Sequence, residues 1–216
     1  MYITKDFTTG KCFRCNAVYK SDHFDLHYQI PDMIKDIGPV SVSDLKFVMN
    51  DDRYSLELFK GLPEGVSEVM EDKLYNRNPY SIDFIDELKF KQVDDNHLLI
   101  PFEWGDEIIF TQVWQKGETP KYYNPRCTCK PIYVCGKIKK EAILVEGVFD
   151  AIACRTLYPD QTPIAVIGST VTFAQELMLR SLFLDRIHIR MDDSIKSYKL
   201  YNKIKRHFEF TDIDVI

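Results

Sequence analysis

Residues 141–157 read EAILVEGVFDAIACRTL, and this stretch decides the fold. The run from Ala142 to Val145 is apolar at every position, the pattern of a strand covered on both faces. Glu146 and Gly147 interrupt it, and from Val148 the apolar residues recur at helical spacing. The stretch therefore predicts a buried strand over 142–147 and an amphipathic helix over VFDAIACRTL. The unit then repeats. PIAVIGS (163–169) is a second buried strand, and TFAQELMLRSLFL (172–184) a second helix with Thr172 placed to cap it. RIHIRM (186–191) is a third strand, a third helix runs from Ile195 to Phe208, and DIDVI (212–216) is a fourth strand. Strands alternating with helices of this length predict βαβ units and a mostly parallel, Rossmann-like four-stranded sheet, an α/β fold.

Open parallel sheets carry their chemistry at the carboxyl ends of the strands. Glu146, Gly147 and Asp150 follow the first strand; Gly168, Ser169 and Thr170 the second; Asp192, Asp193 and Ser194 the third. Carboxylates from two separate strands thus meet at one edge, which is how proteins hold Mg²⁺, a hard cation that prefers carboxylate and phosphate oxygens. Two such ions suit phosphoryl transfer. Gly147 and Gly168 allow tight turns and close backbone approach to a phosphate. The same residues also read as structural: Glu146 beside a helix dipole, Asp192 and Asp193 as helix caps.

Upstream, NHLLIPFEW and DEIIFTQVWQK alternate apolar and polar residues around Gly105-Asp106, a hairpin whose sheet Trp104 and Trp114 pack on. SVSDLKFVMNDD, PEGVSEVMEDKLYNRN and SIDFIDELKF are helical or loop segments, with Ser43 and Ser81 as expected N-caps. This half is α+β. The domains are therefore drawn as 1–30, 31–140 and 141–216. The first is a small β hairpin bearing KCFRCNAVY (11–19), in which Cys12 and Cys15 form a CxxC knuckle. A zinc site takes four ligands, and only this half of one is visible. His23 and His27 are at no strong spacing to complete it, and the alternative is a surface hairpin with two free thiols. Cys127, Cys129 and Cys135 lie over 100 residues away. Cys154 reads as a small core residue, as His188 reads as packed within its strand.

The 216 residues hold 45% hydrophobic and 28% charged side chains, the composition of a globular protein rather than a disordered or coiled-coil chain. No apolar run reaches the roughly 18–20 residues of a membrane span, and the N-terminus has no apolar signal segment. Both point to the cytoplasm, that of a host cell if the protein is viral, and to no membrane partner. The net charge of −5 speaks against a protein that simply coats nucleic acid. It is unevenly spread. Residues 31–110 carry 18 Asp and Glu against 8 Lys and Arg, while 186–206 carry seven Lys and Arg against two Asp. In that basic stretch Tyr198 and Tyr201 interleave with Lys196, Lys199 and Lys203, a mixture that suits single strands but equally a solvated helix face.

The order ILVEGVFDAI, AVIGST, IHIRMDDS resembles a Toprim domain, the catalytic fold of bacterial-type primases, topoisomerases and some nucleases. The stretch IPFEWGDEIIFTQVWQKGETPKYYNP (100–125), set shortly before it, is similar to the primase catalytic core, and TTGKCFRCNA (8–17) to the second half of a primase zinc ribbon. The resemblance covers about 1–28 and 98–216; residues 30–97 match nothing. It implies a DNA primase, or a primase subunit, making short RNA primers from ribonucleotides on single-stranded DNA. Mg²⁺ or Mn²⁺ would be the cofactor, with Zn²⁺ on Cys12 and Cys15, and a helicase or second primase subunit the partner.

By this resemblance Glu146 is the metal-proximal or general-base carboxylate and Asp192 the first Asp of a DxD pair. Asp193 and Ser194 stand beside it in the metal set. Gly147, Asp150 and Gly168 are structural parts of the site. Lys121 meets template or nucleotide phosphate, with Tyr122 and Asn124 packing and orienting it, and Arg190, Lys196 and Lys199 add to the nucleic-acid surface. Two departures stand out. The second Asp of the pair is Ser194, a neutral and poorer ligand; in a shifted register Arg190 instead takes the first Asp position. The first half of the zinc ribbon is missing, so it would be absent or supplied by another polypeptide. These departures support an alternative, a catalytically degenerate Toprim protein serving as a nucleic-acid-binding or replication-complex subunit. A Toprim nuclease is a third reading.

Overall fold

The structure, a computed structural model, describes residues 2–3, 9–11, 18–20, 41–42, 45, 62, 65, 68–117, 119–124, 129–168, 171–206, 208 and 211–216. The chain forms two compact units, Met1–Pro39 and Val40–Ile216. In the first, β1 (Tyr2–Ile3), β2 (Thr9–Lys11) and β3 (Val18–Lys20) pair antiparallel in that order. Cys12, Cys15, His23 and His27 lie outside the described residues, as do Ser43, Cys127, Ser169 and Thr170.

The second unit begins its described elements with α1 (Glu68–Arg77) and a 3-10 segment (Pro79–Leu88). Ser81, the expected cap, lies inside that segment and is buried. Asn78 caps it instead, accepting from the Tyr80 backbone N–H at 3.1 Å. Pro79 decides the start, because its fixed φ pre-forms the first turn and it has no N–H to leave unpaired. An antiparallel sheet follows, in the order β4 (Lys91–Asp94), β5 (His97–Trp104), β6 (Glu107–Gln115), β7 (Tyr122–Tyr123). Gly105 and Asp106 make the β5–β6 turn, where Gly105 takes a φ of 60° that costs a residue without Cβ nothing.

The other sheet runs β12-β11-β9-β10-β8. Its strands are β8 (Tyr133–Val134), β9 (Glu141–Val145), β10 (Gln161–Ala165), β11 (Arg186–Ile189) and β12 (Asp212–Val215). Helices α2 (Val148–Leu157), α3 (Phe173–Ser181) and α4 (Ser194–Ile204) alternate with them. Four strands are parallel, as the alternation predicts. The fifth, β8, runs antiparallel to β10. It escapes a sequence reading because two residues show no periodicity; the Cys135 N–H, donating to the Pro163 carbonyl at 2.9 Å, extends its pairing.

β9 is the central strand, with Ala142, Ile143 and Leu144 fully buried between β11 and β10. Thr172 caps α3 through a reciprocal capping box with Gln175. Aromatic side chains join the two sheets. Phe102 of β5 packs edge-on to Tyr133 of β8 at 5.2 Å, and Trp114 of β6 to Phe149 of α2 at 5.8 Å. Trp114 thus joins its sheet to helix α2 instead of only flanking its hairpin. Buried aromatics of this kind contribute roughly 1.5–3 kcal/mol each. The joint fixes the antiparallel sheet against the start of α2, which begins where β9 ends.

Cys135 is buried, and burial pushes its thiol up to about 12, so it stays a neutral core residue. Cys154 is also buried and its thiol is raised for the same reason. Among the described residues no helix is long and apolar enough to cross a membrane.

Candidate active site

The strand order sets three carboxyl ends side by side. β9 stands between β10 and β11, so Glu146 follows the central strand, Gly168 comes after the strand on one side, and Asp192 and Asp193 after the strand on the other. Two backbone bonds carry this pairing past the strand ends: the Val166 N–H donates to the Val145 carbonyl at 3.0 Å and the Arg190 N–H to Leu144 at 2.9 Å. Next to Gly168, Ile167 holds a φ of 42°, a left-handed conformation that strains a β-branched residue.

Glu146 is partly exposed, and both of its oxygens accept from Lys196 Nζ, at 3.0 and 2.8 Å. Lys196 lies in the first turn of α4. Its hydrogen bond to Glu146 and the negative charges of Glu146, Asp192 and Asp193 raise its pKa. One ammonium is therefore bonded to Glu146 and also feels the charges of Asp192 and Asp193. Asp193 is the N-cap of α4, its Oδ1 accepting from the Ile195 N–H at 2.7 Å. Ser194 is exposed at the helix's first position, and Asp192 is exposed. Among the described residues no three His, Cys, Asp or Glu side chains are arranged to hold one metal ion.

Gly147 is the N-cap of α2, in an extended conformation open to any residue. Its lack of a side chain matters for another reason: a Cβ there would stand 2.9 Å from Asp150 Oδ2. The Asp150 carboxylate folds back over Gly147 and pairs with the Arg77 guanidinium, at the end of α1. One turn earlier, Lys73 Nζ sits 4.2 Å from the centre of the Trp114 ring and 4.9 Å from that of Phe149. Burial lowers the Lys73 pKa, and the positive charges of Arg77 and Lys121 lower it further. Lys73, Arg77 and Lys121 thus lie near enough to repel one another, and Arg77 ties this group to α2 through Asp150. Lys73 and Arg77 come from the stretch that matched nothing in sequence. Their i, i+4 spacing on one helix face was the available sign, masked by acidic neighbours.

The β7 region presents Lys121 on an anchored backbone. Gln115 binds this strand twice, from its N–H to the Lys121 carbonyl at 2.9 Å and from Nε2 to the Pro120 carbonyl at 2.9 Å. Asn124 Oδ1 accepts from Gln112 Nε2 at 2.8 Å, and burial raises the Tyr122 pKa. Arg190 turns away from the edge to donate to the Tyr158 hydroxyl at 2.6 Å. Lys199 is exposed on α4, on the turn after Lys196. His188 is buried mid-strand, its ring between Glu141 and Asp214 at 3.2 and 2.6 Å, so it packs away from this edge.

No family model matches the chain, and no curated protein matches it. Similar solved structures include the zinc-binding and RNA polymerase domains of the Aquifex aeolicus primase, with a TM-score of 0.44 and 18% identity over 100% of this chain and 68% of that one. The primase fragment of the bacteriophage T7 primase-helicase protein is similar with a TM-score of 0.44 and 12% identity, over 96% of this chain and 80% of that one. At a TM-score below 0.5 these likenesses fix neither the fold family nor the activity.

Proposed function

We propose that this protein is a primase-type nucleotidyltransferase that joins ribonucleotides on single-stranded DNA, with 141–216 as a Toprim-like domain and 31–140 as its primase-like companion. The observation that carries this reading is the junction of a carboxylate edge with a cationic patch. The Arg77–Asp150 ion pair joins the first turn of α2, which follows Glu146 in the chain, to the end of α1, where Lys73 and Arg77 lie near Lys121. A nucleoside triphosphate meeting a primer end needs both: cations for its phosphates, and oxygens for the cation that neutralises the reacting phosphoryl group.

The donor chemistry fits a single divalent ion. The Lys196 ammonium, bonded to both Glu146 oxygens, shows that positive charge is already held at this carboxylate. Glu146 and Asp192 would hold Mg²⁺ there, leaving its remaining positions to water and substrate phosphate, and the ion would supply charge neutralisation at the transferring group. Lys121 and Arg77 bind and orient phosphate. Asp150 holds Arg77 in place, and Gly147 leaves room for that pairing. The exposed face of α4, with Lys199 and Tyr198, gives the template strand cations and a ring to stack on. The protein's partner would be a helicase or a second primase subunit.

The test is primer synthesis with labelled ribonucleotides on single-stranded DNA, in Mg²⁺ and in Mn²⁺. Products from the wild type that Glu146→Gln abolishes support the reading. Full activity in Glu146→Gln removes Glu146 from the chemistry. Metal-dependent cutting of the template without incorporation reverses the preference in favour of a Toprim nuclease. Ser194 and the Lys196–Glu146 pair favour a second reading, a non-catalytic nucleic-acid-binding subunit. Template binding with neither synthesis nor cleavage would establish it.

A further inference from the structure

We propose that Lys196 is the resident counter-cation of Glu146, so that a divalent ion binds at this edge only by displacing the lysine ammonium. The inference rests on reading Glu146 as the site's central carboxylate. Its geometry is specific. Lys196 Nζ engages both Glu146 oxygens, at 3.0 and 2.8 Å, from a position 50 residues further along the chain. The contact therefore follows from the β9–β11 pairing and not from local sequence. Lys196 also falls in the helical turn that Ser194 opens, so a neutral hydroxyl and an added positive charge occur together. With Glu146, Asp192 and Asp193 ionised and Lys196 protonated, the edge is two charges negative; without the lysine it would be three.

An ammonium is a compact point charge on a flexible four-carbon stem, able to swing away without backbone movement. Lys196 thereby satisfies Glu146 while the site is empty of substrate and yields when an ion arrives together with phosphate. Asp193 is oriented by its capping bond, through Oδ1, to the Ile195 N–H.

The experiment measures Mn²⁺ affinity of the full chain by the loss of the free-ion electron paramagnetic resonance signal, in the absence of nucleotide. Removing one positive charge a few ångströms from a divalent ion at a partly exposed site predicts roughly tenfold tighter binding in Lys196→Met. Lys196→Arg keeps the charge and should bind like the wild type. The double variant Lys196→Met with Glu146→Gln should lose the gain. Equal affinity in Lys196→Met and wild type overturns the inference, even if Glu146→Gln weakens binding and the site reading stands. A gain in Lys196→Met that persists in the double variant overturns both, since the ion would then not sit on Glu146. Failure of primer synthesis, with the predicted affinities observed, overturns the activity and leaves the counter-cation role intact.

Discussion

Gln175 is a buried polar side chain in α3, and its removal offers a measurable test of how the loop after β10 is held. Its Nε2 donates to the Pro131 carbonyl at 2.9 Å and to the Val166 carbonyl at 2.6 Å, while its Oε1 accepts from the Thr172 N–H at 2.8 Å. It thus ties the approach to β8, the loop after β10 and the start of α3. Gln175→Leu keeps the volume but leaves three backbone groups without this partner. Each buried unsatisfied group costs about 1–3 kcal/mol. Thr172 is only half-buried, so water relieves its share, and the added apolar surface of Leu offsets about 1–2 kcal/mol. The net loss should be about 3 kcal/mol, or a Tm lower by roughly 6–12 °C for a unit of this size. Gln175→Glu should be worse, because an ionised carboxylate cannot donate and is repelled by the two carbonyls. Calorimetry and urea unfolding would measure both. A loss below about 1 kcal/mol in Gln175→Leu, or a Glu variant more stable than the Leu one, would refute the bonding scheme.

Two further outcomes follow from the site. Gly147→Ala should change stability by no more than about 1 kcal/mol: its extended backbone suits Ala, and the weaker N-cap is offset by a less flexible unfolded chain. It should nevertheless reduce primer synthesis a few-fold, because a Cβ at residue 147 pushes back the Asp150 carboxylate that pairs with Arg77. A fully active Gly147→Ala enzyme, or one that unfolds outright, contradicts this account. Lys121→Ala should weaken single-stranded DNA binding and flatten the plot of log affinity against log salt by about 0.7, the value for one lost phosphate contact. A titration at several salt concentrations with an unchanged slope would take Lys121 off the phosphate path.

The sequence makes the parallel sheet legible because its strands are buried on both faces and its helices on one, so composition and period change together at each boundary. The start of α2 at Val148 and the capping box at Thr172 are read directly from residue types. What escapes depends on contacts between distant residues or on very short elements. β8 has two residues. Asn78 and Ser81 are both good caps, and Pro79 between them decides. Glu146 and Asp192 can be located at strand ends by pattern alone, but the Lys196–Glu146 pair requires knowing that β11 lies beside β9 and not beyond β10. In the sequence Lys196 is one of seven basic residues in a charged stretch; in the fold it is the one hydrogen-bonded to Glu146.

The charge of the chain is understood in the same way. Residues 31–110 are strongly acidic in sum, which reads as a surface that repels nucleic acid. Exposed charges act over a Debye length of about 8–10 Å, so the sum over eighty residues says little about any one point. Lys73 and Arg77 belong to that acidic stretch, yet α1 carries them to the cation patch that Lys121 completes. Lys196 belongs to the basic stretch, yet it stands among carboxylates. The acidic region thus contributes two of its few cations to the site, and the basic region contributes Lys196 together with its two carboxylates, Asp192 and Asp193. On the proposed function, an edge built this way attracts a polyphosphate and holds its counter-ion while the protein as a whole stays negative. The charge that matters for function here is the charge on these few residues, set by strand order and helix placement, and not the net −5.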